Sequence, residues 1–127
     1  MPRTAEDRGK GARAFSYARA ADRDIKGILE YTQTRFGPRQ RDGYAELIDR
    51  AASMIASDPA RRGSRARDDL VPGLRSFAIE LVARRRGAAA HVFYYTLGTL
   101  DDGSEGVIIL RVLHERMDPA RHITDEP

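Results

Sequence analysis

The chain has 127 residues, 41% hydrophobic and 32% charged, which suits one domain with a real core beneath a charge-dense surface. It contains no cysteine, so disulfide frameworks, thiolate zinc sites and cysteine nucleophiles are excluded. The net charge is only +3, but arginine supplies 20 of the 22 basic residues, and arginine favours bidentate contacts with carboxylate and phosphate.

No apolar run approaches the roughly 20 residues that a membrane-spanning helix needs. The opening Met1-Pro2-Arg3-Thr4 is polar, unlike a signal peptide. A soluble, cytoplasmic protein is therefore expected, with no membrane partner. The charge is unevenly spread. Residues 61–86 hold eight bases against three acids, and residues 87–127 hold three bases against seven acids. The dense group Arg61, Arg62, Arg65 and Arg67 reads as a docking strip for an anionic partner, beyond an ordinary solvated surface.

In chain order, residues 1–12 are charged, glycine-rich and aperiodic, and are expected to be a disordered extension. Residues 13–123 form a single domain, and 124–127 a tail. Residues 13–18 give a weak strand, with Phe15 and Tyr17 on one face. Ile25, Ile28, Leu29, Thr32 and Phe36 then fall on one helical face. Asp22 and Asp24 stand where carboxylates cap a helix start. Gly37 stops this helix and Pro38 opens a second. Its stripe is Tyr44, Leu47, Ile48, Ala51, Met54 and Ile55, and Asp58-Pro59 ends it. The two make an antiparallel helical hairpin.

Residues 60–73 read as an arginine-rich loop. Residues 74–82 alternate as a strand, with Arg75, Phe77, Ile79 and Leu81 on one face. Arg84-Arg85-Arg86-Gly87 reads as a turn. Residues 90–97 are β-branched and aromatic, a strand. Residues 101–106 are a hairpin turn. Residues 107–114 are apolar on both faces, as a central strand is. A short helical turn is expected near Pro119 to Ile123. The order β-α-α-β-β-β predicts an α+β domain. A helical hairpin covers one face of a three-stranded antiparallel meander, and the first strand joins the same sheet.

No metal site is expected, because His91, His114 and His122 lack ligand spacing and clustered carboxylates, and no cofactor motif is present. His91 and His114 lie on neighbouring strands and could approach each other, though two ordinary strand histidines are the simpler reading. Of Tyr94 and Tyr95, one is expected to face the core and one the solvent. Arginine, histidine and tyrosine together would also serve acid–base RNA cleavage, which composition alone does not separate from binding.

The pattern Asp24-Ile25 … Ile28 … Tyr31-Thr32 … Phe36-Gly37 … Gln40 … Tyr44 resembles the helical hairpin of the ParE toxins, within the ParE/RelE superfamily of type II toxin–antitoxin systems. The resemblance continues through Pro59, Gly73-Leu74-Arg75-Ser76 and His91-Val92-Phe93-Tyr94. Its most specific piece is Arg111-Val112-Leu113-His114-Glu115-Arg116-Met117-Asp118, with His122 after it. It spans residues 14–123 in collinear order, and the family's β-α-α-β-β-β fold matches the order read above. Tyr95 stands where members commonly have arginine.

The resemblance implies a toxin that inhibits DNA gyrase by binding, without bond chemistry of its own, and that a cognate ParD-like antitoxin neutralises in a hetero-oligomer. His114, Arg116, Met117, Asp118 and His122 are the residues expected to carry toxicity. Arg61, Arg62, Arg65, Arg67, Arg75 and Tyr44 are expected to meet the antitoxin. The RelE-like alternative is a ribosome-dependent mRNA endonuclease using Arg75, His91, Arg111 and His114. Such nucleases usually carry arginine at the place of His91 and a tyrosine near the C-terminus, and this chain has no tyrosine after Thr96. A third possibility is a relative that binds antitoxin without being toxic.

Overall fold

In the computed structural model, which describes residues 14–83 and 89–123, the first strand passes into the first helix across a single residue. Strand β1 is Ala14–Tyr17 and helix α1 is Arg19–Phe36. Between them the Ala18 N–H donates to the Ile109 carbonyl, so the sheet sets where the helix begins. Asp22 lies in the first turn, where a carboxylate suits the helix dipole. No side chain caps this helix. Asp24, expected as a cap, is a turn too late for that and is used elsewhere.

Gly37 separates α1 from helix α2 (Pro38–Ser57) with φ of 96°, a left-handed value that glycine adopts without strain, and Pro38 fits the first turn that follows. The stripe of α2 is as expected: Ile48, Ala51 and Ile55 are buried, and Tyr44 and Leu47 pack at the core's margin. In α1, Ile25, Ile28 and Leu29 also pack on the core. Phe36 does not, being 60% exposed at the last residue of α1.

The remaining strands are β2 (Arg65–Ala66), β3 (Arg75–Ala78), β4 (His91–Thr99) and β5 (Glu105–His114), and the sheet order is β1-β5-β4-β3-β2. β1 pairs with β5 in parallel, and the other pairings are antiparallel. The meander and the β1 pairing match the sequence reading. β2 was not expected: two residues of the arginine-rich loop join the sheet against Ser76 and Arg75. The strand expected over 74–82 is shorter. β4 pairs with β3 only at Val92–Tyr95, so the chain beyond Ala78 has no ladder partner and turns into a 3₁₀ helix, Ile79–Leu81. This leaves Leu81 exposed. The turn expected at Arg84-Arg85-Arg86-Gly87 lies outside the described residues, as do 1–13 and 124–127.

The sheet has a core on each face. The helix-side core holds Ile48, Ile55, Phe77, Phe93, Tyr95 and Ile109. The back-side core holds Leu74, Tyr94, Leu113 and Ile123, with Leu70, Val71, Val92 and Leu110 packed on it. Tyr94 and Tyr95 are therefore both buried, not one in and one out. The loop through Leu74 and the C-terminal 3₁₀ turn (Pro119–Arg121), which ends at Ile123, cover the face that a two-layer reading leaves wet.

Candidate functional site

β5 outruns its neighbour β1, which pairs only with Gly106–Ile109. Beyond Ile109 the free edge of β5 meets α1, and Asp24 closes it. Its carboxylate accepts from Arg111 Nε at 2.8 Å, from Arg111 Nη2 at 2.9 Å and from the Val112 N–H at 2.9 Å. One carboxylate thus binds a guanidinium and a backbone amide of the strand edge, the planar fork geometry that arginine favours. A register shift between β4 and β5 at Tyr94/Tyr95 falls at this point. Arg111 Nη1 also donates to the His122 carbonyl at 2.9 Å, which fixes the C-terminal turn.

On the helix side of the same strands, His91 and His114 are direct cross-strand partners. Their ring centroids lie 5.4 Å apart, edge to face. The approach that the sequence allowed is therefore real. From α2, the Tyr44 hydroxyl reaches His91 Nδ1 at 2.8 Å. His114 Nδ1 accepts from the Arg116 N–H at 3.1 Å. The His91 imidazole is pushed down to about 4, by burial first and by the neighbouring His114 second, against an opposing pull from Asp24. It is neutral at pH 7. The Tyr44 phenol is pushed up to about 12 by burial, although the Ala90 N–H favours its anion.

These three residues form the polar end of a cleft of about 780 Å³ between the hairpin and the sheet. Ile28, Tyr31, Phe36 and Leu47 supply its apolar walls. Tyr31 and Phe36 are each 60% exposed at its mouth, an unusual amount of open aromatic surface.

The other expected residues lie elsewhere. Arg75 Nε donates to Ser64 Oγ at 2.7 Å, Ser64 Oγ meets the Tyr95 hydroxyl at 2.6 Å, and that hydroxyl donates to the Pro59 carbonyl at 2.6 Å. This chain ties the arginine-rich loop to the sheet four residues along β4 from His91, roughly 13 Å away at strand spacing. Arg61 donates to the Met54 carbonyl near the end of α2. Arg67 pairs with Asp69 at 3.1 Å and lies over the Tyr94 ring. The Arg62 and Arg65 side chains are exposed, with no side-chain hydrogen bond or ion pair among the described residues. Of the residues expected to meet the antitoxin, Tyr44 lies in the cleft and the arginine group on the loop and strands around Ser64. Of Arg75, His91, Arg111 and His114, only the two histidines come together.

Past β5, Arg116 and Met117 are exposed. Asp118 caps the 3₁₀ turn by accepting from the Ala120 N–H. The His122 ring is outside while its carbonyl holds Arg111. The sequence reading missed the roles of Asp24, Ser64 and Tyr95. A signal for the first was present: Asp24 borders the apolar stripe of α1, and Arg111 is the one Arg, Lys, Asp or Glu within the apolar run of residues 107–114.

Comparison with known proteins identifies the family of the chain. Residues 15–119 match the family described as the ParE toxin of the type II toxin–antitoxin system parDE. The chain is 30% identical over 107 residues to a protein of Mycobacterium tuberculosis named Toxin ParE1, which covers 82% of this chain and 91% of that one. It is 28% identical over 109 residues to the Toxin ParE1 of Caulobacter vibrioides, covering 86% and 96%.

Proposed function

From the premise that this chain belongs to the ParE toxin family of type II toxin–antitoxin systems, we propose that it inhibits DNA gyrase by binding and is neutralised by a ParD-like antitoxin. The observation that favours binding over RNA cleavage is the state of Arg111. Its guanidinium is taken on one side by Asp24 and on the other by the His122 carbonyl, so it is not presented to a phosphate. Arg75 is likewise engaged by Ser64. A phosphoryl-transfer site needs free cations beside its proton carriers.

The segment after β5 is the part we assign to the target, because Arg116 and Met117 stand open on a turn that Asp118 and Arg111 hold in place. Arg62 and Arg65, exposed and unengaged among the described residues, are the cations of the arginine group best placed to meet acidic residues of the antitoxin. No described helix is long and apolar enough to cross a membrane.

A supercoiling assay tests this reading. Purified protein is added to gyrase, ATP and relaxed plasmid, with and without antitoxin. Loss of supercoiling or trapped cleaved DNA, reversed by antitoxin, supports it. Unimpaired supercoiling together with cleavage of mRNA in a translating extract would establish the endonuclease instead. Absence of growth arrest on expression without antitoxin would leave the non-toxic binding relative.

A further inference from the structure

The turn after β5 is held by three successive backbone N–H groups. Glu115 donates to the Ala90 carbonyl at 2.7 Å, Arg116 to His114 Nδ1 at 3.1 Å and Met117 to the His114 carbonyl at 2.9 Å. The last of these closes a β-turn with Glu115 and Arg116 at its centre. Two of the three acceptors are backbone carbonyls, which do not titrate. The acceptor for Arg116 is the imidazole, so that one bond of the three answers to a proton.

His114 holds the first position of the turn, where Asp, Asn and Ser are favoured. The short polar side chains of Asp and Asn accept there from the N–H two residues on. His114 Nδ1 makes the same bond, so a titratable ring does the work of an Asn side chain. A backbone N–H can only donate, so Nδ1 is bare and the neutral ring carries its proton on Nε2. An added proton goes to Nδ1. The cationic ring is then a donor at both nitrogens, faces the Arg116 N–H donor to donor, and the bond is lost.

The groups around the ring leave that proton to His114. His91 of β4 stands opposite, with ring centroids 5.4 Å apart, and its own value of about 4 keeps it neutral between pH 7 and 5. Tyr44 of α2 is bonded to His91, and Tyr31 of α1 lines the same cleft. Asp24 of α1 is neutralised by Arg111. Glu115 and Arg116, on the turn itself, are both exposed and of opposite charge. An imidazole ordinarily titrates between about pH 5 and 8.

We propose that His114 is a positioning residue for the target-binding end of the molecule: its ring shapes the turn that presents Arg116 and Met117, and a proton on that ring releases it. This rests on the assignment of the segment after β5 to the target, and adds how the segment is held and what loosens it. The far end of the segment is fixed independently, by Asp118 on the Ala120 N–H and by Arg111 on the His122 carbonyl. Release therefore alters the turn and leaves the fold in place.

The test compares wild type, His114→Asn and His114→Phe. Asn supplies an acceptor for the N–H two residues on and does not titrate, whereas Phe keeps a ring against His91 and supplies no acceptor. Melting temperatures confirm that each variant is folded. In ¹⁵N-labelled wild type, a scalar coupling across the hydrogen bond joins the Arg116 amide nitrogen to His114 Nδ1 at pH 7.5 and fades at pH 6.0. Gyrase inhibition by wild type, taken relative to His114→Asn at each pH, weakens by about threefold between pH 7.5 and 6.0, as an imidazole titrating near 6.5 gives. His114→Phe inhibits about fivefold less than wild type at pH 7.5, and His114→Asn restores most of that loss. No coupling at pH 7.5, a wild-type pH profile parallel to that of His114→Asn, or full inhibition by His114→Phe overturns this inference alone. A wild type that shows the coupling and leaves supercoiling unimpaired at both pH values overturns the gyrase reading, and with it the use assigned to the turn.

Discussion

Asp24 and Arg111 stand 87 residues apart in the sequence and meet through two hydrogen bonds, 2.8 and 2.9 Å long, at the end of the sheet where β1 stops. The third bond of Asp24, from the Val112 N–H, makes the carboxylate a substitute for a missing strand neighbour. Both side chains are largely shielded, with 15% of the Asp24 side chain and 24% of the Arg111 side chain exposed. Asp24→Ala removes the acceptor from three N–H donors at once and is expected to cost about 2–3 kcal/mol in urea unfolding. Arg111→Met should absorb much of that loss, so the double variant is less destabilised than the sum. An additive pair of effects would mean that the two groups do not act together.

The sequence carried the fold well where periodicity was long. The two helical stripes and the apolar run of β5 required little tertiary information, because each buries one face, or both, over many residues. The readings that changed concern groups whose roles depend on a distant partner. Asp24 looks like a cap until Arg111 is beside it. One of Tyr94 and Tyr95 looks solvent-facing until Leu74 and Ile123 are seen to cover Tyr94. The two-residue strand Arg65–Ala66 has no periodicity to find. For the candidate site, the His91–His114 approach was legible from strand order, but the partner of each Nδ1 was not. Those partners come from α2 and from the turn after β5.

His91 makes stability depend on pH. Its folded value of about 4 lies below the ordinary 6.5, so between these values the unfolded chain binds more protons. Its contribution is fully present above pH 6.5 and is lost as pH falls toward 4. Because the ring is only partly buried, solvent screening reduces the effect to about 1–2 kcal/mol. Carboxylate titration is common to wild type and His91→Phe. The difference between their unfolding free energies should therefore shift by that amount from pH 7 to pH 4. A constant difference would place the His91 pKa near its ordinary value.

The glycines inside the two helices predict a gain in stability on substitution. Gly27→Ala and Gly43→Ala each meet open space, and alanine is the better helix former. Each should add about 0.5–1 kcal/mol, a rise of about 2–5 °C in melting temperature. A lowered melting temperature would mean that these positions are packed rather than open.

Tyr95 anchors the arginine-rich loop through a fully buried side chain. Tyr95→Phe keeps the ring but removes the donor to the Pro59 carbonyl and the partner of Ser64 Oγ. The expected cost is about 1–2 kcal/mol by chemical unfolding. Ser64→Ala, which leaves the Pro59 bond intact, should cost less, and an equal or larger loss would show that Arg75 rather than Tyr95 holds the loop.

The C-terminal segment calls for substitution rather than truncation. Removing everything after Leu113 would take Ile123 out of the back-side core and the His122 carbonyl away from Arg111, so lost toxicity would be indistinguishable from lost fold. Arg116 and Met117 are exposed and touch the fold through their backbones, Arg116 N–H on His114 Nδ1 and Met117 N–H on the His114 carbonyl. Both bonds survive replacement of the side chains. Arg116→Ala with Met117→Ala should change unfolding free energy by less than about 0.5 kcal/mol, as surface substitutions do. It should retain antitoxin binding and relieve growth arrest and gyrase inhibition by at least tenfold. Full toxicity in this double variant would move the target-binding surface away from the end of β5.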